Sequence, residues 1–115
     1  FLEYPACSTC RKAKKWLDEQ KVNYTDRHIV EERPTCEELK IWFERSGLPL
    51  RKFFNTSGLL YKSMQLKEKL DGMSEEKQLE LLASDGKLVK RPLVIGEDFV
   101  LVGFKPEEWK TVLLK

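Results

Sequence analysis

No stretch of this chain approaches the ~18 consecutive apolar residues of a membrane-spanning helix. A membrane partner is therefore not expected. Neither sign of charge is in excess: 21 Lys and Arg stand against 19 Asp and Glu, a formal net charge of +2 at pH 7. A dedicated nucleic-acid binder concentrates a larger basic excess on one face, so direct nucleic-acid binding is not expected either. Cysteine is scarce, with three in 115 residues. An odd count without the density of a disulfide framework argues against secretion and for a reducing cytoplasm. Internal repeats, low-complexity tracts and Gly/Ser linkers are missing, and the length suits one domain over residues 1–115, with a monomer as the default. The chain begins at Phe1 without a methionine or a signal-like segment, so at least one preceding residue is expected.

What the chain does contain is 41% apolar and 10% aromatic residues beneath 35% charged ones. That mixture predicts a true core under a heavily charged surface. Phe1 to Tyr4 reads as the end of a strand stopped by Pro5. Ser8 to about Gln20 reads as a helix, with Cys10, Ala13, Trp16, Leu17 and Gln20 on one face. Val22 to Val30, rich in β-branched and aromatic residues, predicts a second strand and completes a βαβ unit. Thr35-Cys36-Glu37-Glu38 has the form of a capping box, opening a helix that turns Leu39, Trp42 and Phe43 inward and stops at Gly47. Breaks follow at Asn55–Gly58 and Asp71-Gly72, and Ser74 caps a helix that carries Leu79 and Leu82 and ends at Asp85-Gly86. The region from about 35 to 86 is thus expected to be a mostly helical insertion. Leu93–Ile95 and Phe99–Val102 predict a hairpin around Gly96-Glu97-Asp98, and Pro106 opens a closing helix that buries Trp109, Val112 and Leu113. The order β-α-β, helices, β-β-α outlines an α/β, thioredoxin-like domain.

The sharpest chemical feature is Cys7-Ser8-Thr9-Cys10 at the first strand-to-helix junction. Two cysteines three apart at a helix start share a face and can bond to each other. The first sits where free backbone N–H groups and the positive end of the helix dipole converge, which favours a thiolate below the ~8.5 of a free thiol. Arg11 and the lysines behind it act in the same direction. Cys10, one turn inside, suits a resolving thiol. The same N-terminus can receive an oxyanion on its amides, and the small residues around Cys7 leave room for one. Two other readings stay open at this point: half of a zinc site completed by Cys36 and His28, or two cysteines that are merely packed.

Tyr4-Pro5-Ala6-Cys7-Ser8-Thr9-Cys10-Arg11-Lys12-Ala13, Lys90-Arg91-Pro92-Leu93 and Val102-Gly103-Phe104-Lys105-Pro106 stand in the order and spacing of the ArsC/Spx/MgsR family, which the whole chain resembles. Phe53–Gly58 and Leu79–Gly86 resemble bacterial members described as arsenate reductase-related. The resemblance implies a thioredoxin-like fold on a four-stranded mixed sheet. It gives Cys7 the role of the cysteine that attacks arsenate, Arg91 that of the arginine holding the oxyanion, and Pro92 that of a cis-proline facing the cysteine. Ser8, Thr9 and Arg11 would complete the anion site, and no metal or bound cofactor is implied. Two family arginines are matched here by Asn55 and Lys105. Asn keeps a hydrogen bond without charge, and Lys keeps charge without the bidentate fork. Cys10 stands where family reductases often have Ser, which permits an internal disulfide.

The remaining candidates have plainer readings. Asn55 suits a turn before Gly58, Arg91 a surface ion pair, and Cys36 an incidental thiol at a capped helix. His28 suits a packed or surface strand histidine. The resemblance implies a cytoplasmic thiol oxidoreductase, with electrons from thioredoxin or from glutaredoxin and glutathione. Its alternative is a redox-switched regulator that docks on the C-terminal domain of the RNA polymerase α-subunit.

Overall fold

A computed structural model describes residues 1–114 of the chain. Four short strands make one mixed sheet in the order β2-β1-β3-β4, with β1 at Leu2–Glu3, β2 at Arg27–His28, β3 at Leu93–Ile95 and β4 at Val100–Val102. β1 runs parallel to β2, with Leu2 opposite Arg27, and antiparallel to β3, with Leu2 opposite Leu93. β3 and β4 form the expected antiparallel hairpin. Six α-helices among the described residues follow the same chain order: α1 (Ser8–Glu19), α2 (Cys36–Ser46), α3 (Leu59–Ser63), α4 (Leu66–Lys69), α5 (Glu75–Ser84) and α6 (Pro106–Leu113). The expected β-α-β, helices, β-β-α sequence is therefore the one observed. No described helix is long and apolar enough to cross a membrane.

Side chains alternate across a strand, and here the alternation separates two cores. Leu2, Leu93 and Val100 point to one face and join Ile29, Phe53, Phe54, Leu39 and Trp42 of α2, and Leu79 and Leu82 of α5. Phe1, Val94 and Leu101 point to the other and meet Ala13 and Leu17 of α1 and Trp109 of α6. The sheet is thus a middle layer, with α1 and α6 on one side and the long helical stretch on the other. Val112 and Leu113, expected in the core, are only half-buried against the second cluster.

The caps form where the sequence placed them. Thr35 accepts from the Glu38 amide and Glu38 from the Thr35 amide, Ser74 accepts from the Lys77 amide, and Gly47 ends α2 at φ +69°. Other expectations need correction. The second strand is two residues long instead of spanning 22–30, because β1 offers only Leu2 and Glu3 to pair with it. Val22 and Tyr24 instead pack on the second core. Gln20 is exposed, since α1 stops at Glu19 and Lys21 turns the chain at φ +56°. The helical middle is more broken than its composition suggests, with Gln65 at φ +55° separating α3 from α4. Gly86 does more than end α5: a Cβ there would lie 2.1 Å from the Ile29 carbonyl oxygen.

Candidate active site

β1 ends at Glu3, and the chain turns through Tyr4, Pro5 and Ala6 so that Cys7 occupies the N-cap of α1 in extended conformation. No side chain caps this helix, so its first amides point toward the sulfur, and helix N-termini favour negative charge there. The turn is closed by the Cys7 amide donating to the Tyr4 carbonyl at 2.9 Å and the Arg11 amide donating to the Cys7 carbonyl at 3.1 Å. Cys7 is half-buried, whereas Cys10 is fully buried with the Tyr4 amide 3.5 Å from its sulfur. The three cysteines are unpaired.

This geometry separates the two thiols electrostatically. Burial works against ionisation of Cys7, but hydrogen bonding from the Cys10 amide and thiol, the Arg91 guanidinium and the Thr9 amide outweighs it and lowers its pKa. Cys10 is pushed up to about 12, first by burial and then by donating its S–H to Cys7 and by the charge Cys7 carries. The outer sulfur is the one held toward thiolate.

Cys7 opens into a cleft of about 980 Å³ between the start of α1, the segment 48–59, the approach to β3 and the turn between β4 and α6. Five cations line it, namely Arg51, Lys52, Lys90, Arg91 and Lys105, and among the described residues no carboxylate does. Thr9 and Asn55 also line it. The Arg91–Pro92 peptide bond is cis, and Pro92 is buried. Arg91 is half-buried, and its Nε is buried with no hydrogen-bond partner. That donor is unmatched by any acceptor among the described residues, an unusual state for a buried N–H.

Not every candidate side chain arrives there. Ser8 is exposed outside the cleft, and Arg11, one turn further along α1, lines a separate surface with Lys14, Lys15, Asp18 and Glu19. The site lies beyond the end of the helix, so a side chain a full turn back is on its flank. Asn55 is buried and acts locally: its Nδ2 donates to the Lys87 carbonyl, its Oδ1 accepts from Ser57, and its amide donates to the Leu88 carbonyl at 2.7 Å. A Cβ on Gly58 would come within 2.7 Å of Asn55 Nδ2 and 3.2 Å of the Asn55 carbonyl oxygen, so a side chain there would displace the Asn55 amide.

The model of the ArsC family matches residues 2–112. The chain belongs to the ArsC family. It is 64% identical to a solved Bacteroides fragilis protein described as ArsC family related, over 96% of this chain and 92% of that one, with a TM-score of 0.93. A solved Streptococcus mutans protein described as a possible arsenate reductase is 43% identical, over 95% and 94% of the two chains, with a TM-score of 0.87. The regulatory protein MgsR of Bacillus subtilis is 32% identical, over 94% of this chain and 84% of MgsR.

The fold of this ArsC-family protein is thioredoxin-like. Its other candidate residues lie away from the cleft. His28 Nδ1 accepts from the Val30 and Glu31 amides, closing the turn after β2, and Cys36 packs on the first core. Among the described residues, no three His, Cys, Asp or Glu side chains gather as a metal would require, so the zinc arrangement of Cys7, Cys10, Cys36 and His28 does not form. Sequence reasoning passed over Arg51, Lys52 and Lys90 as site residues. Lys90 carried a signal, its place beside Arg91. Arg51 and Lys52 carried none, because only the fold brings their turn to α1.

Proposed function

We propose that this ArsC-family protein is a cytoplasmic thiol oxidoreductase that reduces an oxyanion, with arsenate as the candidate substrate. The reading is carried by one observation: a cysteine held toward thiolate faces a cleft whose charged lining is wholly cationic, where the Arg91 Nε–H lacks an acceptor. Cys7 thiolate attacks arsenic(V), forming an S–As bond while an As–O bond breaks and the departing arsenate hydroxyl takes a proton from solvent and leaves as water. Arg91, with Lys90 and Lys105 nearby, holds the negative charge of the bound oxyanion. The Cys10 thiolate then attacks the Cys7 sulfur, and the S–As electron pair leaves with arsenic as arsenite. Two of the influences raising Cys10, its S–H donation to Cys7 and the Cys7 charge, vanish once Cys7 is bonded to arsenic. Resolution is thereby tied to substrate attachment. A dithiol from thioredoxin, or glutaredoxin with glutathione, reduces the Cys7–Cys10 disulfide and closes the cycle.

The relation to MgsR, described as a regulatory protein, supports a second reading, a regulator. Such a regulator would switch through the same two cysteines and dock on the C-terminal domain of the RNA polymerase α-subunit. One paired assay separates the two. Purified protein with arsenate, NADPH and either donor system is expected to turn over, to lose all activity as Cys7→Ser, and to fall about 100-fold as Arg91→Ala. Absence of turnover with both donors, together with capture of the polymerase α-subunit, would favour the regulator.

A further inference from the structure

We propose that Tyr4 is a positioning residue, holding the Arg91 guanidinium beside Cys7 on the face of its aromatic ring. The Arg91 Cζ lies 4.9 Å from the Tyr4 ring centroid, well inside the range of cation–π attraction. Besides its hydrogen bond to Cys7, little else among the described residues locates that guanidinium. Its hydrogen bond to the Lys87 carbonyl is long, at 3.4 Å, its Nε is unpartnered, and among the described residues no carboxylate forms a salt bridge with it. Tyr4 itself is anchored on several sides. Its carbonyl accepts from the Cys7 amide and its amide reaches the Cys10 sulfur. Its ring meets His28 edge to face at 5.7 Å, and His28 is tied to the Val30 and Glu31 amides. One residue therefore touches the Cys7 backbone, the Cys10 sulfur and the arginine beside them.

The choice of an aromatic ring has a chemical reason. A carboxylate would also fix the guanidinium, but it would cancel the charge and occupy the N–H donors that an anionic substrate needs. A ring face locates the cation and leaves its donors free. The proposal rests on the reading in which Cys7 is the nucleophile and Arg91 its anion partner.

The test is the pH profile of iodoacetamide alkylation at Cys7, located by peptide mass spectrometry. The charged or titratable groups to consider are Cys10 on α1, Lys90 and Arg91 before β3, Arg51 and Lys52 on the facing turn, and Lys105 before α6. Arg91→Gln is expected to raise the profile's midpoint. Tyr4→Leu is expected to raise it in the same direction, slowing alkylation below the midpoint by about 3- to 10-fold, as loss of a cation–π contact implies. Tyr4→Phe keeps the ring and restores the original profile, and Tyr4→Leu adds nothing in the Arg91→Gln background. An unchanged midpoint in Tyr4→Leu, or an equal shift with and without Arg91, overturns the proposal. An unchanged midpoint in Arg91→Gln overturns the underlying reading of Arg91 and the proposal with it. Should Tyr4→Leu fail to fold, the unaltered protein decides: the ring current should move the Arg91 Nε–H proton resonance upfield of free arginine, and a free-arginine value refutes the contact.

Discussion

Replacing Gly86 with alanine is a severe perturbation at a position whose backbone angles alone would permit it. Gly86 has no left-handed φ, so the usual conformational objection to a side chain does not apply. The obstacle is contact. The added Cβ would lie 2.1 Å from the Ile29 carbonyl oxygen, 2.8 Å from its carbon and 2.9 Å from the Val30 Cα. All three are backbone atoms just after β2, so no flexible side chain can move aside. Either the turn at Gly86–Leu88 or the chain after β2 must shift. Such overpacking typically costs 1–3 kcal/mol, and a backbone-on-backbone clash belongs at the upper end, about 3 kcal/mol. With an unfolding entropy of about 2.1 cal/mol/K per residue, a chain this long loses roughly 4 °C of melting temperature per kcal/mol, so the midpoint should fall by about 12 °C. Gly72→Ala is the internal control. Nothing lies within 4 Å of its added Cβ and its φ is ordinary, so it should be neutral or up to about 1 kcal/mol stabilising through the unfolded chain. Thermal unfolding followed by circular dichroism measures both variants. A Gly86→Ala midpoint within 2 °C of the parent would refute the close-approach argument. The same turn leads to Arg91 through Lys87, so Cys7 alkylation should slow in that variant as well.

Two further outcomes follow from the packing and the charges. Trp109 is fully buried, stacks edge to face with Phe104 at 4.9 Å and donates from Nε1 to the Gly103 carbonyl at 3.0 Å. Trp109→Ala should cost about 3–5 kcal/mol, read as a lower urea midpoint with an unchanged slope, and a loss below 1 kcal/mol would contradict this placement. The Arg27 guanidinium beside Glu38 holds that carboxyl down to about 2, against an ordinary value of 4.5. A depressed acid contributes stability that is complete above the unfolded value and lost as pH falls through the folded one. The stability difference between the parent and Arg27→Gln should therefore shrink as pH drops from 4.5 toward 2. A pH-independent difference would show that the carbonyl bonds from Arg27 to Glu32 and Arg33 and its contact with the Trp42 ring, not the ion pair, account for it.

What the amino-acid order determined is everything that acts within a few residues. Thr35 and Glu38 find each other across one helical turn, Ser74 reaches the Lys77 amide, and Gly47 supplies the left-handed stop. Strand alternation sends Leu2 and Phe1, or Leu93 and Val94, to opposite cores without reference to distant segments. The position of Cys7 at a strand-to-helix junction is equally local, and so is the character its helix start confers. Tertiary structure decided what neighbour density decides. The second strand could extend only as far as β1 could pair with it, which no propensity within 22–30 could announce. Arg11, four residues from Cys7, faces another surface, while Arg51 and Lys52, more than forty residues away, line its cleft. Asn55, plausible on paper as an anion ligand, spends its amide on the Lys87 carbonyl and Ser57. Tyr4 reads in sequence as the end of a strand, yet folding lays the Arg91 guanidinium on its ring. Caps and turns close over a few residues at small entropic cost, whereas a cleft assembled from four separate segments exists only after the two cores have paid the entropy of bringing them together.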